Sequence, residues 1–183
     1  MAITKGTNIT AIDSDDPFNF IDAGNLGGVM RVSMDARACA ADDLNADGDA
    51  VLLAQVPSNA RITSVRVYND DLDSGSSSSV NIGVYNGAEE FNDTDGSQTL
   101  YAADAVIDED CFTAASGALQ SAGGTELAFG TAARKAAPLV SVWEDAGLTS
   151  DPGVPLRIGI TQTATVSGAQ AGDVTMIVTY VVD

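Results

Sequence analysis

The chain has 183 residues, with 26 acidic and 8 basic side chains, no histidine and a formal net charge of −18. That balance argues against a nucleic-acid binder, which needs clustered Lys and Arg. The missing histidine removes Ser-His-Asp and Cys-His catalysis and the common metal triads. Apolar residues make up 45% and aromatic residues 5%, so a thin core of Val, Ile and Leu is expected in a chain long enough for one β-rich domain.

Residues 1–28 mix Thr, Asn, Asp and Gly with scattered apolar residues and show no helical or strand period. They read as an extended N-terminal arm ahead of a single domain, 29–183. Phe18, Phe20 and Ile21 stand out in it as candidate partner contacts. Either they fold back onto their own domain or they anchor the arm on a neighbour. The start, MAITKGTNIT, lacks a charged and apolar secretion signal, and no apolar run nears the ~18 residues of a membrane span. A soluble product of cytoplasmic synthesis is expected.

Strand signals follow. Val29 to Met34 is a short candidate, and the apolar run Ala50 to Val56 ends at Pro57 as a buried strand would. Pro57 to Ala60 is a turn. From Arg61 to Tyr68, Val65 and Val67 face in while Arg66 and Tyr68 face out. Val80, Ile82 and Val84 share one face of the next strand, opposite Asn81, Gly83 and Tyr85. With a polar tip over 69–78, residues 61–85 read as a β-hairpin. Residues 86–110 are acidic and loop-like. Asp108 to Leu119 suggests a short helix capped by Asp108, and Glu126 to Phe129 a short strand.

Pro138 to Gly147 carries a clearer helix signature, with Pro in the first turn and Gly just past the end. Leu139, Val142, Trp143 and Ala146 would share its apolar face, with Trp143 as a core plug. Leu156, Ile158 and Ile160 alternate with Arg157, Gly159 and Thr161. The closing GDVTMIVTYVVD places Val174, Met176, Val178, Tyr180 and Val182 on one face and Thr175, Ile177, Thr179 and Val181 on the other, which suggests cover on both sides. Strands 155–163 and 173–182 read as a second hairpin.

Few motifs carry chemistry. Asp43, Asn45, Asp47 and Asp49 match the first half of a calcium loop, with Gly48 at the sixth position. The twelfth position, which should be a bidentate Glu, is Ala54. An Asx-rich turn explains the pattern equally well. Asp70-Asp71-Leu72-Asp73 and Asn92 to Gly96 read as polar loop tips. Glu89-Glu90 and Asp108-Glu109-Asp110 could serve a carboxylate hydrolase only if a cleft raised one pKa. Cys39 and Cys111 have no metal-ligand spacing and read as buried or half-buried thiols. They could pair only if the fold brought them together, and cytoplasmic synthesis argues against it. No catalytic set, cofactor site or metal site is expected beyond the partial calcium match.

Several stretches resemble a family of tailed-bacteriophage virion proteins, the head decoration or cement type. They are VLLAQVPSNARITSVRVYNDDLDSG, VNIGVYNG, SVWEDAGLTSDPG and GDVTMIVTYVVD, in that order over roughly residues 50–183. The resemblance implies a mainly β, antiparallel sandwich, jelly-roll-like, with one or two short helices. It implies a non-enzymatic protein that decorates and stabilises a capsid by binding the major capsid protein, on the capsid exterior, as a homotrimer or other homo-oligomer. It implies no nucleic-acid or membrane partner. The rival expectations are a carbohydrate- or calcium-dependent adhesion module, with Tyr68, Tyr85 and Tyr101 as candidate sugar platforms, or a tail or neck component.

Overall fold

The computed structural model describes residues 28–87, 89–93, 99–136 and 140–182. Among them run ten strands: β1 (Val29–Cys39), β2 (Ala50–Val56), β3 (Arg61–Asn69), β4 (Val80–Asn86), β5 (Phe91–Asp93), β6 (Thr99–Tyr101), β7 (Val106–Ser116), β8 (Gly123–Glu126), β9 (Leu156–Gln162) and β10 (Gly172–Val182). Eight of them form two four-stranded sheets, ordered β1-β10-β3-β8 and β2-β9-β4-β7, while β5 and β6 form a small ribbon. All the strand pairs are antiparallel. This is the strand order of a jelly roll, in which the chain keeps crossing between two facing sheets.

The expected strands are present, but neither expected hairpin is. β3 and β4 lie in different sheets, as do β9 and β10. A period of two shows which side chains share a face; it does not say which strand lies alongside. The connections 70–79 and 163–171 each carry the chain from one sheet to the other, and they pack on each other. The Ser74 N–H donates to Gly168 O at 3.0 Å, and the Gln170 N–H donates to Leu72 O at 2.9 Å. Only the β4–β7 connection returns to the same sheet, and it carries the β5–β6 ribbon.

The helix expected over 108–119 is replaced by β7, followed by a 3₁₀ turn at Ala118–Gln120. Pairing to β4 overrides the local helical tendency. The β4–β7 register shifts three times, so β7 folds its extra residues over the face of β4. That is why Asn81, Gly83 and Tyr85, on the opposite face of β4, are buried along with Val80, Ile82 and Val84. The short strand near 126 is β8, which lies earlier than expected. Of the helix expected over Pro138 to Gly147, the described residues form Val142–Asp145, with Glu144 Oε2 accepting from the Ser141 N–H at 3.0 Å, while Pro138 and Leu139 lie outside the described residues. Gly147 follows it at φ +73°, the left-handed position that favours glycine.

The core lies between the sheets. Ile62, Val65 and Val67 of β3 and Val174, Met176 and Val178 of β10 face Val51, Leu53, Val80, Ile82, Val84, Ile158 and Ile160 of the other sheet. Aliphatic side chains thus dominate, as the composition predicted, with Phe112 of β7 added. On β10 the second face is half-buried rather than covered.

Arg134 breaks the apolar pattern. It sits on the short helix Ala132–Ala136 and is 1% exposed. Its Nε donates to Ala128 O at 3.2 Å and its Nη2 to Ile62 O at 2.7 Å, while Nη1 pairs with the Asp145 carboxylate. The guanidinium carbon lies 5.1 Å from the Phe112 ring centre and 5.2 Å from that of Phe129. Burial pushes the Asp145 carboxyl up to about 7 against the pull of Arg134. Burial also lowers the arginine pKa, but a guanidinium has no accessible neutral form, so the proton balance of this pair rests with Asp145.

Candidate functional site: the β1 edge and its outer face

β1 is the edge of its sheet and pairs with β10 through eleven consecutive residue pairs without a register shift. Residues opposite one another across a ladder point to the same side. Arg31, Ser33, Asp35 and Arg37 therefore share the core-facing side with Tyr180, Val178, Met176 and Val174, while Met30, Val32 and Met34 share the outer side with Val181, Thr179 and Ile177. The polarity is inverted: polar side chains take the inner side and apolar ones face solvent. Met30 is 68% exposed, Val32 59% and Met34 65%.

The inversion is tolerated because β1 overhangs the sandwich. Its residues before Cys39 are all exposed except half-buried Ser33. β2, the edge of the other sheet, touches it there, with the Gln55 N–H donating to Ser33 Oγ at 3.2 Å. A cleft of about 390 Å³ separates the two edges, lined by Ser33, Asp35, Leu52, Gln55 and Arg157 among others. On the outer face Ile177 extends the apolar stripe beside Met34, with Arg66 opposite it on β3; Tyr68, opposite Thr175, is 42% exposed and covers Gly124 of β8. Arg66 and Glu126 border it with an ion pair at 3.5 Å. Four of the seven exposed large hydrophobic side chains among the described residues lie on β1. Clustered exposure of this kind marks a contact surface, whereas scattered single residues do not.

The structure spreads the other candidates apart. Phe18, Phe20 and Ile21 lie outside the described residues. Asp43 receives Arg37 Nη2 on both carboxylate oxygens at 3.0 Å and the Ala40 N–H at 2.9 Å. The Ala40 bond, and then the arginine, hold its carboxyl below the usual range. Asp49 Oδ2 accepts the Asn45 and Ala46 N–H groups at 3.1 and 2.7 Å, and the Asn45 carbonyl takes the Val166 N–H at 2.8 Å. Two of the four calcium candidates, Asp43 and Asp49, thus flank a turn with their carboxylates already facing protein donors. Among the described residues no three acid, Cys or His side chains converge on one point.

Tyr85 is buried against Thr161, Tyr101 stacks on Phe91 at 5.1 Å, and Tyr68 lies on the outer face beside Arg66. Three tyrosines so placed make no common platform. Trp143 is half-buried and packs on the core. Cys39 and Cys111 are free, one at each flank of the sandwich on β1 and β7, and burial raises both thiols.

The acidic loop after β3 has a structural purpose. Asp73 is 1% exposed, and its carboxylate accepts N–H bonds from Gly75 at 2.9 Å and from Ser77 and Ser78. Burial would raise its pKa, but these donors outweigh burial and hold it below the usual carboxylate value. The stabilisation is present above the unfolded carboxylate pKa of ~3.9 and is lost as pH falls through the lower folded value. Asp73→Ala is expected to cost about 2 kcal/mol, since charge-assisted bonds to three backbone donors disappear. Chemical denaturation checks the value, and Asp73→Asn should recover part of it by keeping one acceptor oxygen.

Two solved capsid structures contain this fold. A chain in the capsid of Ralstonia phage GP4 is similar at a TM-score of 0.56 and 17% identity, over 85% of this chain and 86% of that one. A chain in the capsid asymmetric unit of cyanophage Pam1 is similar at 0.53 and 18%, over 86% and 87%. At such identities the likeness is one of fold. No protein-family model and no curated protein matches the sequence.

The sequence reading found the start of β1 but not its importance. The signal was present in the alternation of Met30, Val32 and Met34 with Arg31, Ser33 and Asp35. Alternation does not say which side faces the core, and the ordinary assumption of apolar-in places this strand upside down.

Proposed function

We propose that the protein is a non-enzymatic structural component of a phage virion. It decorates the capsid exterior and stabilises it by binding major capsid protein subunits. The single observation that carries this reading is the jelly roll, similar over most of its length to chains of two phage capsids. The inverted β1 face supports it, because an exposed apolar stripe on a sandwich suits docking on a larger protein surface. The charge of −18 suits a protein that must stay soluble at high copy number and off the genome. Repetition over many equivalent sites converts weak single contacts into stable attachment.

Cryo-electron microscopy of the virus that encodes the chain tests this. Density for the sandwich is expected at many symmetry-equivalent positions on the outer surface of the head. Its absence from every particle, or its presence only in the tail, would overturn the reading. A variant lacking residues 2–28 resolves the arm: weakened co-sedimentation with capsids is expected if Phe18, Phe20 and Ile21 contribute, and unchanged binding rejects that role.

A further inference from the structure

We infer that two copies of this chain pair through β1, edge to edge and antiparallel, about a two-fold axis through Ser33. The result is one continuous eight-stranded sheet. The first support comes from comparing the four sheet edges. Natural edge strands are blunted by bulges, brevity, Lys or Pro to prevent such pairing. β2 carries a register shift between Leu52 and Ala54, β7 carries three, and β8 has four residues, two of them Gly. β1 has no bulge and is not short, and the charged side chains on its inner side, themselves an edge-blunting device, meet opposite charges in the register set out below. Its eleven residues contain no Pro and no Lys, and its ladder to β10 is regular throughout. Its outer backbone groups, which pair with no strand among the described residues, form a straight template for another strand.

The second support is self-complementarity. A two-fold normal to the sheet keeps both outer faces on one side, so it must pass through a residue rather than between two. With Ser33 at the axis, Arg31 lies opposite Asp35 of the other copy, and this pair occurs twice. Val32 then meets Met34 and Met30 meets Ala36 on the outer side. Moving the axis to Met34 sets Arg31 against Arg37, and moving it to Asp35 sets that carboxylate against itself. Moving it to Val32 leaves Arg31 opposite Ser33 and Asp35 opposite Val29. Like charges directly opposite destabilise a ladder, while unlike ones stabilise it, so the Ser33 register is selected.

Long-range charge does not forbid the contact. β1 holds Arg31 and Arg37 against Asp35, a local net charge of +1 in a chain of net −18. Two such edges can approach where the rest of the surface repels. Pairing also sets the two Met30, Val32 and Met34 stripes side by side as one apolar field. This geometry needs no viral shell, so it stands or falls separately from the proposed function.

Sedimentation equilibrium of the full chain should show a reversible dimer. Arg31→Asp and Asp35→Arg should each weaken it at least roughly tenfold, since each places like charges opposite twice. Mixing these two variants is the decisive arm. Asp at 31 then faces Arg at 35, and Arg31 faces Asp35, so a mixed dimer should form while each variant alone stays monomeric. That rescue also shows that both variants fold. A monomer or trimer from the unmodified chain, a dimer indifferent to either substitution, or a mixture that fails to associate would overturn the inference. A dimer that forms yet attaches to no capsid would leave it intact and remove the proposed function.

Discussion

Arg134→Met is expected to cost about 3–5 kcal/mol in chemical denaturation, the largest effect of any single substitution considered for this chain. Removing one partner of a buried ion pair leaves the other charged in a low-dielectric site. Here the stranded group is the Asp145 carboxylate, and Ala128 O and Ile62 O lose donors as well. The loss should depend on pH. In the unmodified protein the Asp145 carboxyl is raised to about 7, above its unfolded value of ~3.9. Its stabilising contribution is therefore fully present below the unfolded value and fades as pH rises through about 7. Without Arg134 the carboxyl must be protonated to stay buried, so the penalty should be smaller at pH 5.5 than at pH 8. The double variant Arg134→Met, Asp145→Asn removes both charges and should recover much of the loss. It should also flatten the pH dependence beyond what the overall acidity of the chain produces. A penalty unchanged between the two pH values would contradict this account.

Gly83→Ala is expected to destabilise by about 3 kcal/mol, at the upper end of ordinary overpacking or beyond it. A Cβ at this position would overlap the Asp108 carbonyl oxygen and the Glu109 backbone. These are main-chain atoms of β7 where it folds over β4, and they cannot swing aside as a flexible side chain would. Relief requires the β4–β7 ladder to open and Tyr85 and Asn81 to lose cover. Gly123→Ala serves as the control. Its Cβ would meet nothing within 4 Å, so the change should stay within about 0.5 kcal/mol. Thermal melting of both variants separates the two outcomes. Equal effects would show that loss of glycine itself matters, rather than the close approach of β7.

The comparison of expectation with structure turns on which interactions are local. Strand positions such as Ala50–Val56 and the inward pair Val65 and Val67 were legible because alternation within one strand is a local property. Gly147 was legible because a helix end needs a left-handed residue nearby. Asp108 to Leu119 was misread as a helix because the force that extends it is the open edge of β4, far away in sequence. Arg134 gave no signal: an adjacent Arg and Lys look like surface charge, and only the rings of Phe112 and Phe129 and the carboxylate of Asp145 make its burial tolerable.

The amino-acid order by itself determined a β-rich chain, a thin aliphatic core, the absence of histidine chemistry and a formal net charge of −18. Each follows from composition or from the two-residue repeat of a strand, and neither needs knowledge of neighbours. Only the tertiary structure decided the strand order of the expected jelly-roll-like sandwich, which lacks the two expected hairpins, and that β1 turns its apolar side to solvent. Strand partners and the side that faces the core depend on contacts between segments distant along the chain, and no local pattern encodes them.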